Sequence, residues 1–391
     1  MNASHSTFGN SAIGVRSVAV ARACGRSAWT FQVRHGEPGL QMLRNEWRSA
    51  LEQHASTTYL QSPEWISAYL KTLAPHPRGV HFIAARHQTR LVGVFVVESG
   101  ALGSPALGVP TLRLINGKHM HLADVGVPAG STNVWREFHT WLHRQHELPW
   151  QVLVGDGICD NSSLASMLRA GDSSALSVCA VNAPTLWIDC SRTLAHAFRN
   201  VSKSHCANVR RLKRRARELG ALNYEEVTDP YRLDAALQDF LYVEASGWKA
   251  GVGSAIKLHP NLVAFYRQLV QEFGARRECR INLLRLNGEV IAAQFGLVSN
   301  RQLNLLKIGF ADRHAALAPG HLIMQYTIES VCADAQLDRL SFVTDPPWAH
   351  LWKPEATSTL RIAVFRRSLI GRTMYAALRL WLARPRWAFR H

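Results

Sequence analysis

The chain has 391 residues, 47% of them hydrophobic, which is length and apolar content enough for two domains with ordinary cores. Its seven cysteines are odd in number and scattered, with no CxxC pair, which argues against a disulfide framework or a zinc site and for a reducing, cytoplasmic setting. The formal charge of +17 sits mostly at the ends: residues 1–36 hold four arginines and no acid, and residues 361–391 hold eight arginines and no acid.

Residues 1–34 are rich in Ser, Ala, Gly and Asn without a period and are expected to form a disordered leader. Ala21-Arg22-Ala23 resembles a cleavage site, but the positive n-region of a targeting peptide is missing. An aromatic-rich helix is predicted over Ser62–Leu73, then a hairpin of Val80–Arg86 and Leu91–Glu98 around the polar turn His87-Gln88-Thr89-Arg90. The most apolar stretch, Leu91–Val109, is interrupted by Glu98, glycines and Pro105, so it does not read as a membrane span. A strand at Thr111–Ile115, a helix at Val134–His143, a fourth strand at Gln151–Val154 ending near Asp156, and a closing strand at Thr185–Asp189 complete a unit.

The same order then recurs. His259–Phe273 is the helix, and Arg280–Leu286 with Val290–Val298 forms the hairpin around Asn287-Gly288-Glu289. Leu303–Ile308 is the third strand, His321–Ala333 the next helix, Arg339–Val343 the fourth strand ending at Asp345, and Thr359–Val364 the closing strand. A repeat this long implies a duplicated domain. Alternating strands and helices with a helical crossover imply a mixed α/β sheet, because parallel neighbours cannot be joined by a tight turn. The domains expected are residues 35–190 and 191–368, followed by a basic amphipathic helix over residues 369–391.

Two basic segments stand apart. Lys203, Arg210, Arg211, Lys213, Arg214, Arg215 and Arg217 lie on a predicted helix capped by Ser202 or Ser204 and stopped at Gly220, which reads either as a solvated face or as an anion-binding one. At the C-terminus, Leu369, Met374, Tyr375, Leu378, Leu380, Trp381 and Leu382 sit among Arg372, Arg379, Arg384 and Arg386, a pattern that suits packing on the domain or peripheral contact with an anionic membrane face. There is no GxGxxG, Walker loop, HExxH or GxSxG. His119 and His121 alternate as a structural pair would, and no metal is expected.

A resemblance emerges from Glu244 through Trp248 and Lys249 to Ile256, with Phe265-Tyr266-Arg267, Lys307, Ala318-Pro319-Gly320 and Asp345, and from Gln61-Ser62-Pro63-Glu64-Trp65 in the first copy. Together these residues resemble the CelD/BcsL-type (BioF2-like) acetyltransferases of the GNAT superfamily over roughly residues 35–370. That group is associated with cellulose and exopolysaccharide synthesis and is distantly related to the FemABX peptidyltransferases. The resemblance implies two tandem GNAT-like domains and acyl transfer from acyl-CoA to an amine or hydroxyl of an amino sugar or polysaccharide precursor, without a covalent enzyme intermediate.

It also implies where to look. In that fold the third strand splays from the fourth, and Leu303–Ile308 would offer backbone N–H groups to the thioester carbonyl. The loop Ala316–Gly320 opens a helix whose N-terminus suits a pyrophosphate, so Lys307, Ala318, Gly320 and His321 are the expected cofactor contacts. The phosphate loop usual in the superfamily has a second glycine, which this chain lacks. Glu244, Lys249 and Asp345 are the acid/base candidates; Glu244 and Trp248 are spaced to share a helix face, where an aromatic wall would raise the carboxyl pKa. Trp248, Trp348 and Trp352 are candidates for stacking on a sugar. Family members commonly show Tyr-Lys after the aspartate; this chain has Trp348-Ala349, leaving Lys353 as the nearest lysine.

In the first copy, Pro128–Asn133 stands where the second has Pro319-Gly320, with no accompanying cluster, so the first domain is expected to be structural. A FemABX-like transfer from aminoacyl-tRNA, and a non-catalytic role in a glycan-synthesis complex, are the competing readings. Nucleic-acid binding is the less expected one.

Overall fold

The computed structural model describes residues 28–53, 57–103, 108–116, 120–127, 132–169, 176–246 and 255–383. Their strands are β1 (Trp29–His35), β2 (Val80–His87), β3 (Arg90–Leu102), β4 (Val109–Leu114), β5 (Val152–Cys159), β6 (Ser177–Asp189), β7 (Leu222–Val227), β8 (Cys279–Leu286), β9 (Glu289–Ser299), β10 (Gln302–Phe310), β11 (Arg339–Ser341) and β12 (Glu355–Phe365). The helices are α1 (Gly36–Glu52), α2 (Pro63–Thr72), α3 (Thr132–Arg144), α4 (Ser163–Arg169), α5 (Leu194–Ala197), α6 (Lys203–Glu218), α7 (Pro230–Ala245), α8 (Pro260–Gly274), α9 (Pro319–Ala333) and α10 (Leu369–Ala383). Trp29–His35, at the end of the stretch read as a leader, is an edge strand paired antiparallel with β2.

All twelve described strands join one sheet in the order β1-β2-β3-β4-β5-β12-β6-β11-β10-β9-β8-β7. The order is nearly palindromic, as a duplicated unit would give, with one exchange at the centre. β6, which closes the first copy in sequence, pairs with β11 of the second, and β12, which closes the second, pairs with β5 of the first. The two exchanged strands run antiparallel to each other from Glu355 opposite Trp187 to Val364 opposite Ser177. Only β4–β5 and β10–β11 are parallel, each joined by a helical crossover.

Local chemistry fixes the helices. Ser62 accepts the Trp65 N–H at 3.3 Å to start α2, with Pro63 in the first turn. Ser202 accepts the His205 N–H at 3.1 Å to start α6, whose buried residues are Val209, Leu212 and Ala216; the arginines at 210, 211, 214, 215 and 217 face solvent. One face of the sheet is covered along both copies by α1, α2, α7 and α8, where Trp65 of α2 meets Phe265 of α8 edge-on at 5.5 Å. The same seam is tied by polar contacts: Arg44 donates to Glu64 at 3.0 Å and to Glu272, and Ser67 donates to Glu272 at 2.9 Å. The opposite face has two separate cores, one under α3 and α4, the other under α6 and α9. No described helix is long and apolar enough to cross a membrane.

Candidate active site in the splayed second copy

β10 and β11 pair only from Gln302–Asn304 against Arg339–Ser341; β10 then runs on to Phe310 while its neighbour turns away. A bulge at Leu306 shifts the β9–β10 register here, turning Leu306 into the core under α7 and α8 whereas Leu303 and Leu305 pack under α9. The strands therefore open into a cleft of about 450 Å³, walled by Leu305–Phe310 on one side and by Phe342, Thr344, Pro346 and Trp348 on the other. Val343, between two of those wall residues, has φ +62 and is buried. A left-handed β-branched residue costs energy and persists only where neighbours enforce it. The enforcing contacts are Phe342 N–H to Leu186 O at 2.8 Å and Leu186 N–H to Thr344 O at 3.3 Å, which project Thr344 toward the opening.

The N-terminus of α9 faces this cleft. Ala318 is its N-cap at φ +46 and offers no side-chain acceptor; Pro319 brings no N–H, and Gly320 follows. The helix thus presents its positive end without a capping side chain, an arrangement suited to an anion. A Cβ on Gly320 would meet Phe310 Cδ1 at an ordinary 3.6 Å, so the backbone accommodates a side chain there but the cleft would lose the space.

Gly309 is different. A Cβ there would fall 2.6 Å from Glu244 Cα, so the bare backbone is what lets α7 lie against β10 and bring Glu244 to the cleft wall. Glu244 is 2% exposed and accepts the Ile256 N–H at 2.9 Å. Burial, and then the Glu244 charge, push the Tyr266 hydroxyl well above the ordinary tyrosine range.

Lys307, Ala318, Gly320, His321, Glu244 and Trp348 therefore all line one cavity. Asp345 is not itself a wall residue: it stands in the chain between the wall residues Thr344 and Pro346, hydrogen-bonded to His350 Nε2 at 2.6 Å. Trp352 is placed elsewhere: it is 2% exposed and packs against His205 at 4.8 Å and Phe198 at 5.9 Å, behind His321 rather than in the cleft. Burial, and then the neighbouring His205, lower the pKa of the His321 ring. Trp248 and Lys249 lie outside the described residues, as does His119.

Sequence reasoning did not place His121 here. It is a residue of the first copy, held at φ +57, and it lines the cleft of the second. Nothing local could have revealed this, since its neighbours across the cavity are more than a hundred residues away.

The equivalent opening in the first copy is filled. β4 stops at Leu114, and residues 120–127 take its place: Gly126 exchanges two hydrogen bonds with Val94 at 3.0 Å, while Ala123 N–H bonds Gly157 O at 3.1 Å. Ala123, Val125 and Val127 are buried in this strap. The strap lies close enough to Trp47 that a Cβ on Gly126 would fall 2.4 Å from the indole nitrogen.

Residues 203–350 match the acetyltransferase (GNAT) domain family, so this part of the chain is a GNAT-type domain. No curated protein matches the chain in sequence. Solved structures share its fold over most of their length. FemX aligns with a TM-score of 0.56 at 11% identity, covering 89% of this chain and 99% of its own. The C-terminal domain of a provisionally assigned lysylphosphatidylglycerol synthetase from Agrobacterium fabrum gives 0.54 at 10%, covering 87% and 97%. A conserved protein of unknown function from Bacteroides thetaiotaomicron gives 0.53 at 14%, covering 83% and 97%. The mixed α/β architecture expected from the repeats, and the GNAT-like fold that the resemblance implied, are those observed.

Proposed function

We propose that the second copy is an acyl-CoA-dependent N- or O-acyltransferase acting on an amino sugar or hydroxyl of a polysaccharide precursor, as the resemblance to CelD/BcsL-type proteins implies. The observation that supports this most directly is the parting of β10 from β11 beside the uncapped start of α9. Pyrophosphate at Ala318–His321 would leave the pantetheine arm along β10, with Lys307 on the same wall. The acceptor nitrogen or oxygen attacks the thioester carbonyl; the new C–N or C–O bond forms as C–S breaks, the acceptor proton passes to a base, and coenzyme A leaves as the thiol. Glu244 and Asp345 are the carboxylates available for that proton, with Lys249 retained as a sequence candidate. Trp348 is the wall residue suited to stack on a sugar. The first copy, its opening occupied by the strap, serves as scaffold. The expected setting is cytoplasmic, with α10 resting against the inner membrane face.

Thermal unfolding with acetyl-CoA and longer acyl-CoAs tests the donor. Saturating ligand at about 100 times its Kd should add about 2.7 kcal/mol, and Gly320→Leu should abolish the shift while leaving the unliganded Tm close to wild type. No stabilisation by any acyl-CoA would end the reading. A second reading, transfer from aminoacyl-tRNA, is favoured by the exposed arginines of α6 and its single acid, Glu218. Its mark would be tRNA binding that weakens steeply with salt and is lost with those arginines.

A further inference from the structure

Two cysteines, one from each copy, meet in the core beneath α9. β6 ends with Asp189 opposite Arg339 of β11, and the Cys190 N–H carries that pairing one residue further by donating to Asp338 O at 2.8 Å. Side chains alternate along a strand, so Leu186, Ile188 and Cys190 point to one face, and all three are buried in the core under α9. Cys332 reaches the same core from the last turn of α9, where it is partly buried. The two thiols are hydrogen-bonded to each other, so the sulfurs are already neighbours, as a disulfide requires.

The pair is chemically unequal. Cys190 is 2% exposed, and its hydrogen bond to Cys332, then burial, hold its thiol well above the ordinary range. The bond that Cys332 accepts from Cys190 lowers the Cys332 pKa, although burial and the Asp189 carboxylate oppose this. The more acidic and more accessible sulfur is the one an oxidant reaches first, and the buried one stands ready to resolve it. Cys159 and Cys279 differ: burial pushes both thiols up, which leaves them inert. A disulfide that forms only on oxidation is compatible with a reducing setting, where such bonds are transient and responsive rather than structural.

We infer that Cys190 and Cys332 form a peroxide-responsive disulfide that clamps β6 of the first copy to α9 of the second. Hydrogen peroxide takes the Cys332 thiol to a sulfenic acid and releases one water. The Cys190 sulfur then attacks Cys332 Sγ; the S–S bond forms as the S–O bond breaks, and the Cys190 proton leaves with the hydroxyl as a second water. Two electrons pass from the thiol pair to one peroxide. Because β6 positions Phe342 and Thr344 and α9 opens on the cleft, the clamp ties together two elements that shape it. The inference does not rest on which group the cleft transfers.

Treating the full chain with hydrogen peroxide, blocking the remaining free thiols and digesting without reductant tests it by mass spectrometry. The expected product is a linked peptide pair containing Cys190 and Cys332, released by dithiothreitol. The oxidised chain should unfold about 4 °C above the reduced one, and Cys190→Ala and Cys332→Ser should each lose that rise. Dimedone should label Cys332 in Cys190→Ala and leave Cys190 unlabelled in Cys332→Ser. Recovery of Cys190 as a blocked free thiol, whether Cys332 is untouched or has run on to the sulfinic acid, would overturn the disulfide, and so would Cys332 linked to another cysteine. A linked pair that forms without raising Tm would overturn the clamp.

Discussion

His35 and His81 share a hydrogen bond between their Nδ1 atoms at 2.8 Å, and His81 Nε2 meets Ser99 Oγ at 2.6 Å. One imidazole must donate and the other accept, so the pair holds only while at least one ring is neutral. Burial, then the neighbouring His35, lowers the His81 pKa to about 4 from its ordinary 6.5. Because the unfolded chain then binds more protons than the folded one between those values, this contribution is complete above about pH 6.5 and is lost as pH falls toward 4. His143, lowered to about 4 by burial and then His139, acts with the same sign. Unfolding temperature followed from pH 7 to 4 should therefore fall, and His81→Gln should flatten the slope without removing it; parallel curves for the two proteins would refute the assignment. At this scale, what could be read in advance was what depends on local sequence. Gly320 and His321 reach the cleft because a helix start places them there. Trp352 does not, because its neighbours His205 and Phe198 arrive from a distant segment.

Elements were legible where their period was strong. Both hairpins, the crossover helices and the capped α6 fall where the apolar runs, the polar turns and Ser202 put them. β1 and β7 were missed: they are the two edge strands, half exposed, with Arg34 and His35 or Glu225 and Glu226 interrupting the apolar signal. The C-terminal helix α10 shows what a period alone leaves open. Its inner side is set by Gly371, Met374, Tyr375 and Leu378, with Tyr375 edge-on to Phe365 at 5.9 Å. Its outer side is apolar too: Leu369 is 80% exposed, Leu380 70% and Trp381 64%, with Arg372 and Arg379 along one flank. An outward apolar stripe bordered by arginines and free of acids fits a bilayer with anionic headgroups. Sedimentation with phosphatidylglycerol-containing vesicles should pull down the wild-type protein, and phosphatidylcholine vesicles should do so far less. Replacing Leu380 and Trp381 together by Glu should weaken binding tenfold or more at about 1.5–3 kcal/mol per buried side chain. Equal recovery with both lipids, or with the variant, would refute the contact.

For the whole molecule, the central exchange of β6 and β12 decides how the copies depend on each other. The duplication is visible in the sequence, but nothing in a strand's own residues says whether it closes its own copy or its neighbour's: β6 and β12 suit either partner by pattern. In the folded chain, β11 is three residues long and is held between β10 and β6. The wall residues Phe342 and Thr344 are positioned by Leu186 of β6, so the second copy's cleft is shaped by a strand of the first. Residues 191–391 made alone would lack β5 and β6, leaving one edge of β11 and both edges of β12 unpaired, and an uncovered edge invites association. They should be insoluble or self-associated and show no acyl-CoA stabilisation. Co-expression with residues 1–190 should restore a soluble heterodimer that is stabilised, because each fragment supplies the strand the other needs. A monomeric 191–391 fragment with native-like cooperative unfolding would show instead that β12 can return to its own copy, and that the exchange is not what joins the two halves.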